Sequence, residues 1–195
     1  GRPAVDLQVT SVEVEGFGPF RSLVRYPLGG RGVTCVTGRV EGAASSAADS
    51  NGAGKSTLVL APLWALTGQA DLLRDGGRSS VADVVSDGAQ QARVRVEGVA
   101  GGSTPFAVER CARVRGGSKL TFELGGADAT MQEIRMTQAR VDEALGASAL
   151  ARVAFHSPRS VGALLEAGDK AFKEELGRLL GLELWAAARD AAAAA

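Results

Sequence analysis

The stretch Asn51-Gly52-Ala53-Gly54-Lys55-Ser56-Thr57 decides how this chain is read. Glycines let a backbone wrap an anion with its N–H groups, a lysine reaches the outer phosphates of a nucleotide, and the hydroxyl after it is a ligand for Mg²⁺. The N-terminus of a following helix adds a favourable dipole. The flanks agree with that reading. Val33-Thr34-Cys35-Val36-Thr37 is expected to form a short buried strand, and Leu58-Val59-Leu60-Ala61-Pro62-Leu63-Trp64-Ala65-Leu66 an apolar helix. Strand, glycine turn and helix in this order define a phosphate-binding loop.

The loop departs from the strict pattern in one respect. Gly-x-x-x-x-Gly-Lys-Ser/Thr places its first glycine where this chain has Asp49. A glycine does follow the expected strand, at Gly38, but residues 39–53 then separate it from Gly54. An insertion inside the loop accounts for the difference. The inserted stretch, 39–50, is small and polar, as a surface excursion is expected to be.

Composition sets the remaining bounds. The chain has 195 residues, 45% of them apolar, enough for the core of one good-sized domain or one lobe of a larger protein. Its formal net charge is zero, so any contact with nucleic acid must come from a local patch. Cys35 and Cys111 both fall in apolar, strand-like runs and are expected to be small core residues, with an intracellular compartment as the default. No run is long enough to span a membrane, and the N-terminus has no secretory pattern.

Along the chain, Leu7, Val9, Val12 and Val14 alternate with polar residues as a half-buried strand does. The turn Gly16-Phe17-Gly18-Pro19-Phe20-Arg21 follows, then a second strand over 23–26 and a tight connection over 27–32. Residues 81–85 are expected to be a short helix or strand. The middle of the chain, about 92–124, is expected to be a β-rich subdomain: 92–97, 106–114 and 119–124 are strands, the last two divided by Gly116-Gly117. From Thr130 the period becomes helical, with Ile134, Val141, Ala144 and Leu145 on one face and Gly146 as the stop. The segment 169–195 is strongly helix-forming, with a stripe of Phe172, Leu176, Leu179 and Leu180.

Together these residues resemble the N-terminal ATPase half of the Rad50/SbcC/SMC family, with the Rad50-like flavour stronger. The likeness rests on the opening strand and its Gly16-to-Arg21 turn. It rests also on Val36-Thr37-Gly38 with Asn51-to-Thr57 as a Walker A, and on Phe172-Lys173-Glu174-Glu175-Leu176 with Leu179-Leu180-Gly181-Leu182 as a lead into a coiled coil. The resemblance implies an α/β fold: one N-terminal lobe over 1–195 of an ABC-type P-loop NTPase head, with a β-rich subdomain and a C-terminal helix leading toward a coiled coil.

It also implies ATP and Mg²⁺ as cofactors. Lys55 would meet the β- and γ-phosphates, Ser56 the metal, and the backbone of Gly52, Ala53, Gly54 and Thr57 the other oxygens, with Gly38 and Asn51 completing the loop. In similar heads a basic residue at the position of Arg21 lies close to the nucleotide; an exposed arginine bracing the turn is the other reading. Implied partners are the protein's own C-terminal ATPase half, a second head, an Mre11/SbcD-like nuclease and double-stranded DNA, with no membrane.

The Walker B acid and the signature loop of that family are not found in this sequence, so no catalytic residue is assigned within the chain. Val141-Asp142-Glu143 has only one apolar residue before its acids, and no Leu-Ser-Gly-Gly-Gln occurs. The family's Q-loop glutamine aligns with Pro158, next to the only histidine, His156, which is not assigned a catalytic role. Orienting water accounts for much of the rate in phosphoryl transfer, so Pro158 bears on turnover and not on binding. A nucleotide-gated structural clamp with little hydrolysis is therefore the alternative to a DNA repair ATPase, and the ATPase of a membrane transporter a third reading.

Two further clusters are singled out. Arg93 and Arg95 share one face of a strand, with Arg110, Arg113 and Arg115 on the next; such a face can track a DNA backbone. Interleaved Glu97, Glu109 and Glu123 favour a salt-paired, solvated face instead. Asp83 and Asp87 are candidates for a place near the metal or for loop capping.

Overall fold

Alternation of inward and outward residues along the strands sets the architecture. The computed structural model describes residues 6–38, 54–69 and 81–147. The chain divides into two compact units, Gly1–Ser148 and Ala149–Ala195, and every described element belongs to the first. Strands β1 (Leu7–Glu15), β2 (Val24–Pro27), β3 (Gln91–Ala100), β4 (Thr104–Arg113), β5 (Ser118–Leu124) and β6 (Ala127–Asp128) form one sheet in the order β2-β1-β3-β4-β5-β6, every neighbour antiparallel. Helices α1 (Lys55–Thr67) and α2 (Ile134–Leu145) pack on the sheet, α1 against β1, β3 and β4 and α2 against β5.

The inward set is Val12 and Val14 of β1, Ala92, Val94 and Val96 of β3, Phe106, Val108 and Ala112 of β4, and Leu120 and Phe122 of β5. Their registers place Val12 opposite Val96 and Val96 opposite Val108, so a face apolar except at Arg110 meets the helices. Six consecutive residues of α1, Ala61 to Leu66, are buried, as expected for a helix apolar on every side. The β-rich middle is thus formed as read, β1 and β2 extend it, and the protein is α/β.

Three expectations need correction. Residues 33–37 form no strand and are exposed, with Val33 fully so, and Cys35 is exposed with them. An apolar run becomes a strand only beside a free edge, and among the described residues no strand pairs with it. On α2 the buried positions are Thr137, Val141 and Leu145, while Ile134 is more than a third exposed. Thr137 is accommodated inside because its hydroxyl accepts a hydrogen bond from the Met131 amide and lies 3.2 Å from the Glu133 carbonyl. The strand expected over 106–114 begins earlier and ends at Arg113. The helix expected over 169–195, with Trp185, lies outside the described residues.

Candidate functional site

The first turn of α1 is built for a negative charge. Gly54 caps it with φ +83°, a left-handed conformation that suits glycine, and the Leu58 amide donates to the Gly54 carbonyl at 2.9 Å to close the first helical ring. Gly54 has no side chain with which to cap the turn, among the described residues none is shown capping it, and none of its residues is acidic. The leading N–H groups, with the positive end of the helix dipole, are therefore presented to an anion. Lys55 is half-buried and Ser56 exposed. Thr57 is half-buried, and its methyl group faces Gly18.

That contact belongs to the turn after β1, which seats on the start of α1. A Cβ on Gly18 would stand 2.7 Å from Cγ2 of Thr57, and one on Gly54 would stand 2.5 Å from Cγ of Pro19 and 3.0 Å from the Phe20 ring. Both glycines have positive φ, so each supplies backbone geometry and clearance together. The turn is itself braced. The amide of Phe17 donates to the Phe20 carbonyl and that of Phe20 back to Phe17, both at 3.0 Å. Gly18 donates to the Val84 carbonyl at 2.9 Å, the Ser86 amide to Gly16 at 2.8 Å, and the Ser86 hydroxyl to Gly18 at 2.6 Å. Phe17 is fully buried, its ring centre 5.0 Å from that of Trp64 on α1.

Of the residues expected at the site, Gly54, Lys55, Ser56 and Thr57 are brought together in this turn. Gly38 is half-buried and follows the exposed residues 31–37, and Arg21 is exposed, its carbonyl accepting from the Gly16 amide at 3.3 Å. Asn51, Gly52, Ala53, the insertion 39–50, His156 and Pro158 lie outside the described residues. Asp83 and Asp87 are exposed, beside the segment that braces the turn.

The basic strand face resolves into ion pairs. Arg93 contacts Glu13 at 3.0 Å, Glu15 at 3.3 Å and Glu109 at 2.8 Å, and Arg95 contacts Glu97 at 3.0 Å and Glu123 at 3.2 Å. Burial opposes charge on Arg93, but the hydrogen bonds it donates to Glu109, Glu13 and Glu15 outweigh it and hold its pKa above the ordinary value. The Arg95 guanidinium does the reverse for Glu97, lowering its pKa. The salt-paired reading is correct for Arg93 and Arg95.

Arg110 is not on that face at all. Its parity matches Val108 and Ala112, so it points inward, buried, across the Trp64 ring at 6.0 Å. There Nε donates to the Ala65 carbonyl at 3.1 Å and an Nη to the Gln138 side-chain oxygen, while Gln138 donates to the Leu66 carbonyl at 2.8 Å. The last carbonyls of α1 are thus capped by β4 and α2, and burial pulls the Arg110 pKa down to about 10, against the charge of Asp142.

A contact that the motif reading missed lies on the other flank of the cradle. Tyr26 of β2 donates its hydroxyl to the Leu58 carbonyl at 2.7 Å, and burial raises its pKa above the ordinary 10.0. Half of the signal was in the sequence: Pro62 inside an apolar helix leaves one carbonyl, that of Leu58, without its amide, though nothing local names its partner.

Residues 11–158 match the family described as AAA domain. No curated protein matches the sequence. Among solved structures the chain is similar to the recombination mediator protein RecF with ATP in the RecFOR pathway, at 16% identity and a TM-score of 0.48, over 85% of this chain and 36% of that one. The chain therefore spans little more than a third of that protein's length.

Proposed function

The chain belongs to the AAA domain family, and from that premise we propose that it is the ATP-binding lobe of a Rad50/SbcC-type ATPase of DNA repair, whose heads engage on binding and hydrolysing ATP. One observation carries the reading: a left-handed glycine, with no side chain of its own to cap it, opens an acid-free helical turn that holds Lys55 and Ser56. Lys55 meets the β- and γ-phosphates, the backbone of 52–57 the remaining oxygens, and Gly38, Asn51 and Arg21 border the nucleotide.

Among the described residues no cluster of three His, Cys, Asp or Glu is placed to hold a metal ion. A Mg²⁺ here takes Ser56 as its protein ligand and the rest of its oxygens from phosphate and water, which suits that ion. The family resemblance supports the C-terminal ATPase half and a second head as the source of the water-activating residues, and a nuclease of Mre11/SbcD type with double-stranded DNA as partners. Pro158 in place of an amide favours a second reading, a nucleotide-gated clamp with slow turnover.

Competition tests the phosphate reading. ATP and ADP should displace a fluorescent ATP analogue from the chain at least about tenfold better than AMP, because the cradle reads phosphates beyond the first. Equal displacement by AMP contradicts it.

A further inference from the structure

The first turn of α1 is held at both ends, and only one end was explained by the phosphate-loop motif. At Gly54 the braced turn of Pro19 and Phe20 fixes where the helix starts. Four residues on, the regular helix fails. An α-helical carbonyl accepts from the amide four residues later, and for Leu58 that residue is Pro62, which has no N–H and whose ring crowds the same carbonyl. Left alone, such a defect kinks the helix or leaves a partly buried acceptor unsatisfied.

Tyr26 fills that place. Its hydroxyl donates to the Leu58 carbonyl at 2.7 Å, from a strand that pairs with β1 through Tyr26 opposite Val12. A side chain of the sheet thus closes the ring that the helix backbone cannot. Tyr26 is the only tyrosine of the chain.

We propose that Tyr26 is a positioning residue for the phosphate cradle: paired with Pro62, it holds the turn of Lys55, Ser56 and Thr57 in the orientation that binds nucleotide. The arrangement rests on the nucleotide-binding reading above and adds to it a strut from β2. A proline at this point also makes the strut necessary, since an ordinary residue would supply the amide itself.

A double-mutant cycle in the full 195-residue chain tests this, using Tyr26→Phe, Pro62→Ala and both together, with Mg-ATP affinity by calorimetry and stability by urea unfolding. Tyr26→Phe should weaken Mg-ATP by about 2- to 12-fold, the span of one net hydrogen bond. Pro62→Ala gives Leu58 an amide donor, so in that background Tyr26→Phe should cost less than about twofold. A residue that merely packs would show no such rescue. Unchanged affinity in Tyr26→Phe, or equal losses in both backgrounds, overturns the positioning role while leaving nucleotide binding intact. A wild-type chain that binds no Mg-ATP overturns the nucleotide reading itself, and the role with it. Should Tyr26→Phe not fold, Pro62→Ala/Tyr26→Phe folding and binding like Pro62→Ala supports the strut, and a double variant equally unfolded refutes it.

Discussion

Gly18→Ala probes the seat of the turn on the cradle, because two separable costs meet there. The residue has φ +53°, and an L-side chain in the left-handed region costs about 1–2 kcal/mol. The new methyl would stand 2.7 Å from Cγ2 of Thr57, closer than carbon atoms pack, so the turn or the helix must shift. Forcing an extra methyl into a packed site costs about 1–3 kcal/mol. The total is about 2–5 kcal/mol, a large share of the stability of a domain this size.

The two parts are separated by Thr57→Ser, which keeps the hydroxyl and removes the obstructing methyl. In that background Gly18→Ala should retain only the backbone cost, recovering at least about 1 kcal/mol relative to the sum of the single changes. Urea unfolding of the four proteins measures it. A Gly18→Ala protein within about 0.5 kcal/mol of wild type, or strict additivity of the two substitutions, would refute the contact between turn and cradle.

Other expectations follow from the same framework. Arg110→Ala leaves the Ala65 carbonyl and the Gln138 side chain without their buried donor, and should destabilise the protein by about 2–4 kcal/mol in urea unfolding; a loss under about 0.5 kcal/mol means that the arginine does not cap α1. Tyr26 binds its proton more tightly folded than unfolded, so its contribution is complete below the ordinary value of 10.0 and is lost as pH rises beyond it. Stability should then fall by about 1.4 kcal/mol per pH unit from this group, and the absorbance of tyrosinate should stay low about one unit above the ordinary value. Ionisation at the ordinary value shows an exposed ring. Cys35 is exposed and Cys111 is half-buried, its thiol pKa raised by burial and by Glu109, so a disulfide reagent should modify Cys35 first. Equal rates contradict the exposed placement of 33–37.

The sheet was readable because its information is local. Period-two alternation in β1, β3, β4 and β5 names the inward residues, and paired glycines at 101–102 and 116–117 mark where strands reverse. What failed was information about neighbours. The 33–37 run is apolar enough for a strand, but hydropathy does not say whether an edge lies beside it. Arg110 carries a charge that argues for the surface, while its parity argues for the core; parity prevailed because two helix carbonyls and Gln138 satisfy its donors. Thr137 displaced Ile134 from the buried face of α2 for the same reason. At the site, the motif pointed to Gly54, Lys55, Ser56 and Thr57, which lie in the first turn of α1, and the resemblance pointed to the turn at Gly16 to Arg21. Their contact through Gly18 and Thr57, and the pairing of Tyr26 with Pro62, join residues about forty positions apart and have no local signature.

The central claim is that the lengthened loop still closes on the phosphates of a nucleotide, and a calorimetric titration of Mg-ATP into the chain, with Lys55→Ala alongside, tests it most directly. The account predicts one site of about micromolar affinity in the wild type, weakened at least about 100-fold by loss of the ammonium. A folded wild-type chain that takes up no Mg-ATP, or a Lys55→Ala variant that binds it equally well, would contradict the account.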